Sequence, residues 1–339
     1  GSRIGVSLTV MVSHAPRILS PILLTIMSGM LWLSSAHAQQ YKWQIVKANG
    51  RDYVTAKSIV NFYKFGKKTE SGNDIRFVSD RLTMDGTVGS QTLVINKIKF
   101  ILSYPLVRQS GQVLMSRIDL CKLVDPVLRP SYIKRPQVFN TVVVDPGHGG
   151  HDSGAHCSLG KESYFALDTG KKLKAELERR GYKVVMTRTN DRYIGLGDRV
   201  KFANRYKNAI FISLHYNSGQ SRAFGIETFA LSPHGSSSTY TGQRRSDYLN
   251  FEGNGNDSEN IALSTAIHAS AMHKIRTIDR GIKRARWTVL TGLKIPGVLF
   301  EGGFLSNSSE ARKIANSSHR TRIAKALADG IDNYKKALR

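Results

Sequence analysis

The chain has 339 residues, which indicates two domains at about 150 residues each. Hydrophobic residues make up 40% of the sequence and charged residues 22%, so the collagen-like, low-complexity and disordered classes are excluded. Lys and Arg total 50 against 25 Asp and Glu, and the resulting net charge of +25 is spread over both halves of the chain. Such a surface attracts polyanions, namely nucleic acid, anionic lipid or an acidic polymer outside the cell.

An apolar run over residues 18–33 follows two arginines and is typical of a secretory signal peptide. The run is shorter than the span of about 20 residues that crosses a bilayer, and Ala36 and Ala38 provide the small residues of a cleavage site. We therefore predict a Sec-type signal peptide over residues 1–38, export to the periplasm or the cell wall, and no stable membrane insertion after cleavage. An uncleaved anchor is the alternative. Export excludes nucleic acid as a partner and favours an acidic wall polymer.

Short strand patterns in residues 39–130 predict a small strand-rich α+β domain. The sequence predicts a hairpin over residues 93–102 with its turn at Asn96, and a capping box from Ser116 to Asp119 that opens a helix. Prolines and basic residues then alternate, which indicates a linker over residues 131–138.

This first domain resembles the copper amine oxidase N-terminal-like domain that is often fused to cell-wall enzymes. The resemblance covers about residues 41–130 and lies in Tyr53-Val54-x-Ala56, residues 95–102 and residues 116–120. It implies that the domain positions the enzyme or contacts the wall. A purely structural role is the alternative.

Strand and helix patterns alternate from residue 139 onward. The first strand pattern, residues 141–144, is continuously apolar, as expected of a strand covered on both faces. A helix pattern over residues 162–180 follows and is closed by Gly181. The alternation predicts an α/β catalytic domain over residues 139–339, with a mostly parallel sheet flanked by helices.

Four chemically active residues fall at or near the ends of predicted strands. His148 lies in a glycine-rich loop after the first strand, Glu162 opens the next helix, and His215 ends a later strand. Open α/β sheets place their sites at such carboxyl ends. Two imidazoles and one carboxylate are a ligand set of catalytic zinc. Glu301 ends another strand, and its carboxylate can accept the proton of a water molecule at the metal.

Longer motifs surround these residues in a fixed order. They are Asp145-Pro-Gly-His-Gly-Gly-x-Asp152, Gly160-x-Glu162, Phe211-Ile-Ser-Leu-His-x-Asn217, Gly225-x-Glu227, Asp279-Arg-Gly-Ile-Lys283 and Glu301-Gly-Gly-Phe-Leu-Ser-Asn307. From about residue 141 to 334 the chain therefore resembles the zinc-dependent N-acetylmuramoyl-L-alanine amidases. The resemblance implies zinc held by His148, Glu162 and His215, and Glu301 as catalytic base and acid. It also implies that the substrate is peptidoglycan, cleaved between N-acetylmuramic acid and the first alanine of the peptide stem.

Five further residues of these motifs have predicted roles around the metal. Asp145 either fixes a ligand imidazole or caps the loop backbone, and Glu227 orders the site without touching zinc. Asn217 contacts substrate. Arg199 and Lys283 either meet the carboxylates of the peptide stem or brace the loops through ion pairs.

Other polar residues are interpreted as ordinary surface or core positions. His151, His156 and Cys157 form a rival cluster between the first two ligands, but the preferred interpretation places them on the rim of the site. His268 and His273 lie on a helix pattern, where packed or solvated histidines are common.

Two features leave alternatives open. The spacing of Cys121 and Cys157 does not support a disulfide between them.

The polar, glycine-rich segment 232–257 is longer than most loops of compact domains. We expect a substrate-binding flap and constitutive activity, so a protein activator is not indicated. The alternative is a plug in which Glu252 binds the zinc.

Two other functions fit parts of the pattern. One is a catalytically silent wall-binding protein that keeps the fold and the basic surface. The other is a zinc peptidase that acts on free wall peptides. The presence of all three ligand candidates and of Glu301 argues against the silent protein, because a protein without catalytic activity has no chemical need of these four residues.

Overall fold

The structure, a computed structural model, describes residues 41–239 and 241–339. The predicted signal peptide lies outside the described residues. Within the described ranges, no helix has both the length and the apolar character needed to cross a bilayer.

The described chain forms seventeen strands and nine α-helices. The strands are β1 (Ile45–Ala48), β2 (Arg51–Thr55), β3 (Lys67–Ser71), β4 (Asp74–Val78), β5 (Thr83–Thr87), β6 (Thr92–Ile95), β7 (Ile98–Ile101), β8 (Val107–Gln109), β9 (Gln112–Ser116), β10 (Thr141–Pro146), β11 (His156–Cys157), β12 (Gly160–Lys161), β13 (Lys183–Met186), β14 (Ala209–Asn217), β15 (Ile226–Leu231), β16 (Asp279–Ala285) and β17 (Gly297–Phe304). The helices are α1 (Ala56–Tyr63), α2 (Arg117–Asp119), α3 (Asp125–Leu128), α4 (Glu162–Arg179), α5 (Leu196–Ala203), α6 (Asp257–Lys274), α7 (Thr288–Thr291), α8 (Ser308–Ala315) and α9 (Ser317–Ala337). A π-helical turn joins α2 to α3, and short 3₁₀ segments cover residues 130–132, 245–248 and 252–256.

An eleven-stranded sheet organises the molecule, in the order β13-β10-β14-β17-β15-β16-β7-β6-β5-β4-β3. The α/β class is confirmed, but the prediction of a mostly parallel sheet is wrong, because the sheet is mixed. β15 runs antiparallel to β17. Beyond β16, strands β7 to β3 of residues 67–101 continue the sheet as antiparallel hairpins.

Apolar strands in the middle of the sheet are covered on both faces by helices. Val142 and Val144 of β10 enter a core with α4, α6 and α9, whereas Val143 between them enters a second core with Ala203 of α5 and Leu290 of α7. This alternation follows from the two-residue period of a strand, and it explains why the 141–144 pattern is continuously apolar.

The amino-terminal unit, residues 41–132, is built into the same sheet and shares a core with it. β7 pairs with β16 in parallel, with Phe100 opposite Ile282. Phe100 and Ile282 also lie in one apolar cluster with Ala230 of β15 and Ile261 of α6. The predicted hairpin is confirmed as β6 and β7, since its turn falls at Asn96.

A buried ion pair joins this unit to β16. Arg284 donates to the carboxylate of Asp119, and both side chains are almost fully buried. The same carboxylate accepts hydrogen bonds from the backbone N–H groups of Ser103 (2.8 Å) and Tyr104 (3.1 Å). Ser116 caps the helix at Asp119 as predicted, because its hydroxyl accepts from the Asp119 N–H at 3.1 Å.

We expect Arg284→Met to lower the free energy of unfolding by about 3 kcal/mol, because it leaves the Asp119 charge buried without its cation. Urea denaturation followed by circular dichroism measures the loss. The double variant Arg284→Met with Asp119→Asn should recover part of it, because the buried charge is removed while the side-chain oxygen of Asn can still accept a hydrogen bond from the backbone. Equal stability of Arg284→Met and the wild type would contradict this account of the interface.

Candidate metal centre

The structure brings His148, Glu162 and His215 together at one edge of the sheet. One ligand atom from each lies within 4.8 Å of the others, and no other group of three His, Cys, Asp or Glu residues in the described ranges meets this condition. His148 Nε2 lies 3.1 Å from Glu162 Oε1, and His215 Nδ1 lies 2.9 Å from the same oxygen. The arrangement can hold a metal ion.

The ends of two strands and the start of one helix position the three candidate ligands. His148 follows β10, Glu162 is the first residue of α4, and His215 lies near the end of β14. β10 and β14 are parallel neighbours, so their carboxyl ends meet at one edge. His148 itself adopts a left-handed backbone conformation with φ of 59°, which turns the loop sharply after β10.

Two glycines leave the space that the ligands occupy. A Cβ atom on Gly147 would lie 2.5 Å from Nε2 of His215. A Cβ atom on Gly154 would lie 2.6 Å from the His148 ring and 2.5 Å from Oε2 of Glu162. Because real side chains do not approach this closely, the ligand geometry requires residues without a Cβ at both positions.

Hydrogen bonds orient the ligands. Asp152 lies 2.9 Å from Nδ1 of His148, which leaves Nε2 directed towards the cluster. Glu162 accepts from the backbone N–H groups of Ala155 (2.9 Å) and Tyr216 (3.1 Å). Burial would raise the pKa of Glu162, but hydrogen bonds to the two histidines outweigh burial and hold its pKa well below the ordinary value.

Glu301 lies in β17 beside the cluster. It pairs in register with His215 on one side and with Glu227 of β15 on the other. Its Oε2 atom is buried and has no hydrogen-bond partner among the described residues. Burial first, and then the negative charges of Glu162 and Glu227, raise the pKa of Glu301 well above its ordinary value, with Lys283 opposing them.

Asp145 lies beneath the cluster and contacts neither ligand imidazole. Its carboxylate accepts from Arg199 Nη1 (2.8 Å), Thr187 Oγ1 (2.6 Å) and Ser213 Oγ (2.8 Å). Both predicted roles of Asp145 therefore differ from the structure, in which Asp152 faces the imidazole and Asp145 anchors Arg199.

Arg199 braces the loop that carries His148. It is 2% exposed and donates to the backbone carbonyls of Pro146 and His148, both at 2.7 Å. The structure therefore agrees with the alternative of loop bracing and not with contact to substrate. Arg188, for which the sequence predicted no role, donates to the carbonyls of Gly147 and Ser163 (both 2.7 Å) and so ties the loop to α4.

Glu227 is the centre of a second polar group next to Glu301. It is fully buried and pairs with Lys283 Nζ (3.0 Å) and Arg280 Nε (2.5 Å). Asn217 lies 3.4 Å from its other oxygen. Glu227 does not enter the metal cluster, in agreement with its predicted ordering role.

The residues set aside on sequence grounds lie outside the cluster. The His151 ring packs against Tyr193 in a tilted arrangement, with 4.1 Å between ring centroids, and Cys157 contacts a carbonyl oxygen of its own hairpin. Cys121 and Cys157 are free thiols. His268 is buried and bonded to Thr228 and Asp279, which is a packed core role.

The described residues of segment 232–257 lie at the opposite edge of the sheet. Because β15 is antiparallel to β17, it leads away from Glu301. The four residues from Glu227 to Leu231 carry the chain about 13 Å in that direction. The predicted flap and the alternative plug by Glu252 are both wrong, because the segment lies away from the metal cluster. The sequence pattern of β15 does not reveal the direction of the strand, so this position could not be predicted.

Side chains fix the segment in this place. Arg286 donates to Asp247 Oδ1 (2.7 Å) and to the carbonyls of Pro233 (2.9 Å) and Ser236 (2.7 Å). Tyr104 of the amino-terminal unit donates to the Gly235 carbonyl at 3.1 Å. The segment therefore belongs to the contact between the two parts of the chain.

A family model described as N-acetylmuramoyl-L-alanine amidase matches residues 142–333, more than half of the chain. The chain belongs to this family. The match contains all three residues of the metal cluster and Glu301. The resemblance inferred from the sequence motifs and the predicted enzyme class are confirmed, whereas the likeness of residues 41–130 to the copper amine oxidase N-terminal-like domain stays a prediction.

Individual relatives match between 57% and 66% of the chain. The uncharacterized protein YqiI of Bacillus subtilis is 30% identical over 223 residues, which cover 66% of this chain and 98% of the relative. The amidase AmiA of Escherichia coli is 30% identical over 217 residues, 57% of this chain and 75% of AmiA. The amidase LytC of Bacillus subtilis is 30% identical over 202 residues, 60% of this chain, but the match spans only 37% of LytC.

We expect Gly147→Ala to weaken Zn²⁺ binding at least about tenfold, as other disturbances of ligand orientation do, because the new methyl group displaces the His215 ring. Competition with a chromogenic chelator measures the affinity. The matched control is Gly197→Ala in α5, where an added Cβ meets no atom within 4 Å. Equal Zn²⁺ affinities of the two variants would contradict the proposed steric requirement.

Asp152→Asn should weaken Zn²⁺ binding by about 10–100-fold, because the carboxylate that orients His148 is lost. The same chelator competition is used, with circular dichroism to verify the fold. Asp198→Asn is the control, since among the described residues this exposed carboxylate forms an ion pair only with Lys201 of the same helix, α5. An unchanged affinity in Asp152→Asn would exclude Asp152 as an orienting partner.

Proposed function

We propose that the protein is a zinc-dependent peptidoglycan hydrolase that cleaves the amide bond between N-acetylmuramic acid and L-alanine of the peptide stem. His148, Glu162 and His215 hold the zinc, and Glu301 is the general base and acid. The observation that supports this most is the convergence of the three donors beside the buried, unpartnered Oε2 atom of Glu301.

The donor set fits zinc. Two imidazole nitrogens and one carboxylate oxygen are a usual set for catalytic zinc, which keeps its fourth position open. When bound, zinc polarises a carbonyl group and lowers the pKa of a coordinated water towards about 7.

The side chains of the protein supply the proton transfers. Glu301 accepts the proton of the attacking water and returns it to the nitrogen of the leaving peptide. The scissile carbonyl carbon gains the hydroxyl oxygen as the C–N bond breaks, so the products are a lactyl carboxylate and a free alanine amine. Asp152 keeps the His148 ring in the orientation that binds metal. Asp145, Arg199 and Arg188 keep the loop itself in place.

The parts of the chain then have separate roles. Residues 1–38 are a signal peptide that directs export to the periplasm or the cell wall, residues 39–130 are an accessory unit, residues 131–138 a linker and residues 139–339 the catalytic domain. A net charge of +25 attracts the anionic wall polymer and speeds encounter, so this effect decreases as salt rises.

Digestion of purified sacculi by the mature protein tests the reaction. We expect new alanine amino termini and intact lactyl carboxylates, released in the presence of Zn²⁺ and not after treatment with a chelator. Mass spectrometry of the soluble products identifies the new end groups. Cleavage elsewhere in the stem would indicate a peptidase, and absence of cleavage with wall binding retained would indicate the silent protein.

Glu301→Gln should keep its Zn²⁺ affinity but lose about 10²–10⁴-fold in kcat, which is the usual contribution of general acid–base catalysis. Metal content and turnover of a muramoyl-peptide are measured on the same preparation. Glu252→Gln is the matched control and should turn over at the wild-type rate, because Glu252 lies at the far edge of the sheet. Wild-type turnover by Glu301→Gln would remove Glu301 from the mechanism.

A further inference from the structure

A single row of residues crosses the sheet from the metal cluster into the amino-terminal unit. His215 pairs with Glu301, Glu301 with Glu227, and Glu227 with Gly281 of β16. The next strand is β7, where the pairing of Ile282 with Phe100 places Lys99 beside Gly281. Residues that pair in register project from the same face of a sheet. Lys99 therefore lies on the face that presents Glu301.

The position of Lys99 is fixed at both its backbone and its side chain. Its backbone N–H donates to Asp279 Oδ2 at 2.8 Å. Gly281 has a φ of +97°, and a Cβ atom there would lie 3.3 Å from Cγ and 3.4 Å from Cδ of Lys99. The aliphatic part of the lysine therefore lies across the glycine.

Lys99 extends a group of cations that begins next to Glu301. Lys283 and Arg280 both form ion pairs with the carboxylate of Glu227. The Asp279 carboxylate is hydrogen-bonded to His268 and to the backbone N–H groups of Lys99 and Gly281. Within residues 41–239 and 241–339, no carboxylate lies within ion-pair distance of Lys99 Nζ. Burial lowers the pKa of Lys283, the charge and hydrogen bond of Glu227 oppose this, and the charges of Arg280 and Lys99 lower the pKa further. The three cations are therefore close enough to affect one another.

The length of the row matches the length of a short peptide. Neighbouring strands are about 4.7–4.9 Å apart, so three steps from the backbone of Glu301 to the backbone of Lys99 span about 14 Å. An extended peptide covers about 3.3–3.6 Å per residue, so four residues reach about 13–14 Å. Because the Lys99 side chain lies back across Gly281, its ammonium group is nearer to Glu301 than the backbone of β7 is. An extended stem of about three to four residues that begins at the scissile amide next to Glu301 therefore ends within reach of Lys99.

We propose that Lys99 of the amino-terminal unit binds the terminal carboxylate of a four-residue peptide stem while the scissile amide lies at Glu301. The proposal rests on the proposed function. It makes the amino-terminal unit part of the substrate site, although β7 lies outside the residues that match the family model. The enzyme then distinguishes stems by length and by the charge at their end.

Steady-state kinetics on three muramoyl-peptides tests this: one with a dipeptide stem, one with a tetrapeptide stem, and the same tetrapeptide with its terminal carboxylate amidated. We expect Lys99→Gln to raise KM for the free tetrapeptide by about two- to fivefold, the range for a partly exposed charge pair. KM for the other two substrates and kcat for all three should be unchanged. High salt should reduce the difference for the tetrapeptide.

Two further variants serve as controls. Lys99→Arg should restore the low KM, because the charge is retained. Lys57→Gln removes an exposed lysine from α1 and should leave all kinetic constants unchanged. An equal rise of KM on all three substrates, or no rise on the free tetrapeptide, would overturn the role of Lys99. Failure of the wild type to cleave any of the three would instead overturn the proposed function.

Discussion

The structure depends on the register of three neighbouring parallel strands, β10, β14 and β17. This register places the loop after β10, His215 of β14 and Glu301 of β17 at one edge of the sheet. Glu162 lies beside them because it is the first residue of α4, which begins at the same edge of the sheet. A shift of one residue in β14 or β17 would turn His215 or Glu301 to the opposite face of the sheet. The apolar cores on both faces prevent such shifts, so the packing of the core also fixes the geometry of the site.

A second layer of polar contacts keeps the loops rigid. Arg188 and Arg199 are both almost fully buried, and each donates to carbonyl groups of the loop that contains His148. These carbonyls would otherwise be buried without partners, at a cost of about 1–3 kcal/mol each. The proposed metal ligands are thus held in place by groups outside the cluster, which is how metal sites usually obtain their precision.

Much of the site could be predicted from the sequence because it depends on where strands end. His148, Glu162, His215 and Glu301 were each placed next to an apolar strand or at a helix start, and the family motifs supported the same set. The role of Asp152 was missed, although it follows His148 by four residues within the quoted motif. Its contact arises from the left-handed turn at His148, which spacing alone does not reveal.

The arrangement of the strands could be predicted only in part. An apolar strand has a similar pattern whether its neighbour is parallel or antiparallel, so the reversal of β15 was not visible, and the flap over the site was inferred wrongly. The pairing of β7 with β16 was also hidden, because it joins residues about 180 positions apart. Contacts at such separation depend on tertiary packing, which local patterns do not encode.

The amino-terminal unit and the rest of the chain share one sheet, which limits how domains of this protein can be removed or exchanged. In an enzyme whose domains fold independently and are joined by flexible linkers, a wall-binding domain can be exchanged by cutting a linker. Here, removal of residues 41–132 would uncover the free backbone groups of β16 together with the apolar side chains of Ile282 and Ala230. An exposed edge of this kind pairs readily with other chains. A swapped or shortened version of this chain would therefore need a new strand to cover that edge and keep it from pairing with other chains.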